Sequence, residues 1–181
     1  MKFEQTDERV RRELLEIFTA VDSWFDIEPQ TRAYLPKSGW SINQVLEHIA
    51  LTNHFLILTL DKQILIAEKR AQKTPIPDGE SDLDRLIPIG ERGSFEWERP
   101  DHMEPTRAVN PAETREVLSG QVDHCLNSLD RIKGGIGALV SITMTVNDLG
   151  KIDLYQWIFF IAKHAQRHLQ QMEAIQLEQK S

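Results

Sequence analysis

The sequence predicts an all-α protein, a four-helix bundle with a long irregular connection between its second and third helices. Three observations carry that expectation. Four segments repeat their apolar residues at helical spacing, capping residues and breakers fall at the ends of those segments, and the one alternating run has no evident partner. At 181 residues, the chain has the length of one domain with room for a real core, and one domain is expected over residues 1–181.

The first helix is expected over residues 6–25, where Val10, Leu14, Ile17, Phe18, Val21 and Phe25 form an apolar stripe that must pack on something. Residues 27–40 hold Pro29, Pro36 and Gly39 and read as a connector. The second helix starts at Ser41 with Gln44 three residues on, the pattern of a capping box, and Trp40 and Val45 stand at the positions of a hydrophobic staple. No Gly or Pro interrupts it before residue 73. Ile42, Val45, Leu46, Ile49, Leu56 and Leu60 make its main face, and Leu51, Phe55 and Leu58 a second. A helix apolar on most of its circumference is sandwiched between neighbours. His48 falls at the edge of the main stripe, while Asn43, Glu47, His54 and Asp61 are placed on the polar side.

Residues 74–110 carry five prolines and three glycines. A stretch of this length in a compact domain is a lid, a binding loop or disorder. Phe95 and Trp97 argue against disorder, because such rings find something to cover. The third helix opens with Asn110 as cap and Pro111 at its first position. Leu118, Val122, Cys125, Leu129 and Ile132 then recur as in a bundle helix, which ends at Lys133-Gly134-Gly135. Residues 139–146 alternate like a strand but are read as an extended connector. Asp153 with Gln156 resembles another cap. It opens the fourth helix, whose stripe runs through Leu154, Trp157, Ile158, Ile161, Ala165, Leu169, Met172 and Ile175.

A net charge of -7 and the lack of any Lys/Arg run give no electrostatic case for nucleic acid. The one cysteine, Cys125, excludes an intramolecular disulfide and suits a reducing compartment. The charged N-terminus lacks the apolar core of a signal peptide, and no apolar run reaches the roughly 18 residues of a membrane helix. The expectation is a cytoplasmic protein without membrane or nucleic-acid partners.

His164 and His168 lie inside the apolar stripe of the fourth helix, four residues apart and on one face. Such a pair arises by chance about 0.2 times in a chain with this histidine content, so the spacing alone is weak. Position says more. A buried imidazole needs partners for both nitrogens, and several charged rings converging in a core would repel. If His48 approaches from a facing helix, three neutral nitrogens could hold a divalent metal and leave a coordination position open. Spacing leaves two readings: metal ligands, or core histidines satisfied by hydrogen bonds. Gln44, one turn before His48, is a candidate partner for its second ring nitrogen, in competition with its capping role. His54, His102 and His124 read as ordinary histidines, and His124 with Cys125 makes no zinc pair, because adjacent helical residues diverge.

These residues match a family. Gly39-Trp40-Ser41-Ile42, Val45-Leu46-Glu47-His48-Ile49, Leu149-Gly150, Trp157 and His164-Ala165-Gln166-Arg167-His168 resemble, in order and separation, the DinB/YfiT-like superfamily. The resemblance implies an up-down-down-up bundle in which His48, His164 and His168 bind a divalent metal, zinc or nickel, and it implies a homodimer. Similar proteins include bacillithiol-type S-transferases, a mycothiol-dependent maleylpyruvate isomerase and proteins labelled only as metal-dependent hydrolases. The leading expectation is a metal-dependent enzyme acting on a small-molecule thiol and an electrophile. Hydrolysis is the alternative, for which the sequence offers no evident carboxylate base, and a non-catalytic metal- or ligand-binding protein of a stress response is the third reading.

Overall fold

A computed structural model describes residues 2–37, 39–97, 101–106 and 110–181. It is 73% helix and 5% strand, as the all-α expectation requires. Helix α1 spans Lys2–Ser23 and passes into a 3-10 turn, Trp24–Asp26. It starts earlier than its main stripe because Phe3 is buried and stacks on Tyr155, with ring centroids 5.7 Å apart. The expected connector contains a short helix, α2 (Pro29–Ala33), with Pro29 in the first turn, where its missing N–H costs nothing.

Helix α3 runs over Ile42–Ala71 behind the expected capping box. The Ser41 hydroxyl accepts from the Gln44 amide at 3.3 Å, and Gln44 Oε1 accepts from the Ser41 amide at 2.9 Å. By length and composition α3 alone, among the described helices, could cross a membrane, although no unbroken apolar run reaches that length. It packs against α2, α4 (Pro111–Ile132) and α5 (Leu154–Lys180), and it buries Glu47, His48, Thr52 and Asn53 as well as its apolar residues. Those are the traits of a core helix with neighbours on several sides.

The described residues of the stretch 74–110 hold more structure than their composition predicts. Residues Asp84–Gly90 form a 3-10 segment against α5, with Leu83, Leu86 and Ile89 buried, and a second turn covers Asp101–Met103. Gly90 approaches α5 so closely that a Cβ would lie 2.7 Å from Gln166 Oε1, so a larger residue there would have to displace the Gln166 side chain. Asn110 caps α4 through the Ala112 amide at 2.9 Å.

One expectation is overturned after α4. Ser141–Met144 (β1) is a strand, paired antiparallel with Gly150–Asp153 (β2), Met144 opposite Gly150 and Ser141 opposite Asp153. The partner leaves little trace in the sequence, because a four-residue strand running straight into a helix cap carries almost no alternation of its own. Asn147 and Asp148, both at positive φ, turn the hairpin, a conformation these two residue types tolerate. Asp153 ends β2 and caps α5 in the expected capping box with Gln156. The start of α5 is thereby fixed, and Trp157 Nε1 donates to the Leu56 carbonyl of α3 at 2.9 Å. That bond sets the mutual height of the two helices that carry the histidines.

Candidate metal centre

His164 and His168 project from α5 as neighbours, and His48 meets them from α3. The His48 ring centroid lies 5.3 Å from that of His164 and 4.7 Å from that of His168, and the α5 pair is 4.6 Å apart, all edge-on. One ring nitrogen from each residue falls within 4.8 Å of the others. His48 and His164 are buried and His168 half-buried.

The outer nitrogens decide what the inner ones can do. His48 Nδ1 lies 2.7 Å from the Met103 carbonyl, which only accepts, so the proton sits on Nδ1 and the lone pair of the neutral ring is on Nε2. His168 Nδ1 meets Gln171 Oε1 at 2.8 Å, with the same consequence. His168 Nε2 then faces His164 Nε2 at 3.1 Å. Two nitrogens about 2.05 Å from one tetrahedral zinc ion lie roughly 3.3 Å apart, so the spacing suits a shared cation. His164 Nδ1 is buried without a partner in either tautomer.

Burial, followed by the charges of His168, His48 and Arg167, drives the His164 pKa well below its ordinary 6.5. Burial and then His48 push His168 down to about 3, against the opposing bond from Gln171. Both rings are therefore neutral at physiological pH, the form in which imidazole binds a metal. Three imidazoles, two of them oriented by bonds to their outer nitrogens, fit a divalent metal ion.

Several of the parts lie far away in sequence. Of the two roles open to Gln44, capping is the one taken: its Oε1 is spent on the Ser41 amide, and His48 finds another partner, the Met103 carbonyl. Glu47 is not on a solvent face as expected. It is buried, and its Oε1 accepts from the Thr106 amide at 2.9 Å and the Thr106 hydroxyl at 2.7 Å. Residues 101–106 are thus clamped to α3 beside His48. Trp40 also stacks near His48, with centroids 4.9 Å apart. The signal in the sequence was a Glu-His pair on one turn of an otherwise apolar helix, but nothing local tells which segment meets it.

Trp97 lies against His164 and Phe160, at 5.4 and 5.8 Å between centroids, and stacks on Phe95 at 5.3 Å. Arg167 holds that loop to α5 by donating to the carbonyls of Glu91 and Phe95. Above the histidines remains a cleft of about 170 Å³ with Arg92, Trp97, Arg167 and Gln171 on its walls. His54 is exposed beside Phe55, His102 packs edge-on to the Phe55 ring at 4.5 Å, and His124 bonds Asp61 at 2.7 Å. None of the three joins the cluster, among the described residues. Cys125 is buried, its thiol pushed up to about 12 by burial, so it is a core residue with no nucleophilic use.

The sequence model of the DinB superfamily matches residues 6–172. The chain belongs to the DinB superfamily. No curated protein and no solved structure matches it. The three histidines of this DinB-superfamily protein are thus brought together by two helices within the matched span, and they fit a divalent metal site.

Proposed function

We propose that this protein is a metal-dependent enzyme that transfers a small thiol to an electrophilic acceptor, with His48, His164 and His168 holding zinc or nickel. The observation that carries the reading is the donor set: three ring nitrogens converge at the floor of a cleft whose lining, among the described residues, includes no carboxylate. A divalent ion bound there supplies a lowered thiol pKa, and so a thiolate at neutral pH. The sulfur forms a bond to the acceptor carbon, the leaving group departs with its bonding electrons, and the thiol proton passes to solvent. The chain's own part is orientation and shelter. The Met103 carbonyl and Gln171 hold the rings, and Trp97 covers one side of His164.

Hydrolysis is the weaker reading, because it profits from a general base beside the ion and the nearest buried acid, Glu47, is committed to Thr106. The same proposal takes the four long helices as an up-down-down-up bundle, working as a homodimer in the cytoplasm. Screening the metal-loaded protein with low-molecular-weight thiols and halogenated aromatic acceptors tests it. Thiol consumption that disappears on chelation and in His164→Ala is expected. A large loss of thermal stability on chelation, with no thiol or ester turned over by the loaded protein, would replace the enzymatic reading with a structural one.

A further inference from the structure

The walls of the cleft carry a charge that the metal reading does not use. Arg92 and Arg167 both border it, and among the described residues no acidic side chain lines it, in a chain whose net charge is -7. Among the described residues, Arg167 donates only to neutral groups, the Glu91 and Phe95 carbonyls and Ser94 Oγ. Its guanidinium carbon stands 4.7 Å from the Phe95 ring centroid and 5.6 Å from that of Trp97, so it is held in place without a counter-ion among the described residues. The position of Arg92 is also fixed, since its backbone amide donates to Gln170 Oε1 at 2.9 Å. Its side chain makes no hydrogen bond or ion pair with any described residue. Arg92 borders the same cleft as Arg167 and His168. Two like charges beside one half-enclosed cleft destabilise the free protein and attract an anion, and a divalent cation on the histidines would add to the same field.

We propose that the cleft takes an anionic substrate, a small molecule whose carboxylate seats between the guanidinium groups of Arg92 and Arg167 while its reacting end reaches the three histidines. The inference rests on the reading of those histidines as a metal centre. Guanidinium forks match a carboxylate in geometry as well as charge, the cleft volume limits the ligand to a small molecule, and Trp97 offers an apolar wall for a short carbon body.

Calorimetric titration of the zinc-loaded protein with three probes tests this: mercaptosuccinate, succinate and 2-mercaptoethanol. Mercaptosuccinate is expected to bind on the order of tenfold or more tightly than the neutral thiol, the worth of one charge-assisted hydrogen bond. Arg92→Gln should remove that advantage, Arg92→Lys should keep most of it, and neither should change zinc content or the affinity for 2-mercaptoethanol. Equal binding of mercaptosuccinate by wild type and Arg92→Gln overturns the proposal, as does equal affinity for the charged and neutral thiols or no binding of either anion. Should 2-mercaptoethanol bind in those cases, the thiol reading survives without the anion site. Should succinate bind as tightly as mercaptosuccinate and be lost in Arg92→Gln, the anion site stands and the thiol reading falls.

Discussion

Replacing Glu47 should loosen the metal centre without touching a ligand. Its carboxylate, 5% exposed, accepts two hydrogen bonds from Thr106, at 2.9 and 2.7 Å. These bonds fasten the segment that also presents the Met103 carbonyl to His48 Nδ1. A hydrogen bond to a charged group contributes about 1.5–3 kcal/mol. Glu47→Ala deletes two and leaves the Thr106 donors without their acceptor, so a loss of about 3 kcal/mol is expected, reduced from the simple sum because Thr106 is exposed and water can reach it. Glu47→Gln keeps one acceptor oxygen and should cost about 1 kcal/mol. Denaturant unfolding of the metal-free proteins measures both. The second effect is functional. Once Met103 drifts, the His48 ring loses its orienting bond, and loss of such a partner costs about 10- to 100-fold in metal affinity. Competition with a chromogenic chelator reads this directly. If Glu47→Ala unfolds within about 0.5 kcal/mol of wild type, the range of an ordinary surface change, and binds metal equally well, then residues 101–106 are not clamped as described and the reasoning fails.

Metal content should fall in His168→Ala and stay at about one ion per chain in His54→Ala and His124→Ala, by elemental analysis; equal content throughout would remove His168 from the ligand set. Trp97→Ala should speed metal release to a chelator several-fold by opening His164 to water, while the sedimentation coefficient stays constant; a changed coefficient with unchanged release would make Trp97 a subunit contact. The metal-free protein should lose stability as pH falls from about 6.5 towards 3. In that window an unfolded His168, with its ordinary pKa of 6.5, takes up a proton that the folded ring refuses until about pH 3, so the unfolded state binds more protons and stability rises with pH. Urea midpoints at pH 7.5 and 5 that coincide would contradict the burial of this ring.

How far the sequence reaches into this structure depends on the range of the interactions. The capping boxes at Ser41–Gln44 and Asp153–Gln156 were legible because each closes over three residues, and the physics is complete within that span. The same holds for the His164–His168 pair, since helical geometry alone makes the two neighbours, and the DinB pattern added the third histidine. Tertiary structure decided the rest. His48 orients through a carbonyl 55 residues away, and Glu47 is buried by a threonine 59 residues away. A backbone carbonyl has no sequence signature at all, and a glutamate on a helix is read as solvated unless something is known to cover it. The segment that covers it is the one whose prolines and glycines erase periodicity, so its docking on α3 and α5 depends on a few buried residues, Leu83, Leu86 and Ile89, and on hydrogen bonds to backbone. Those interactions, long in sequence and short in space, convert three histidines on two helices into a cleft with a charged wall, and only the folded chain brings them together.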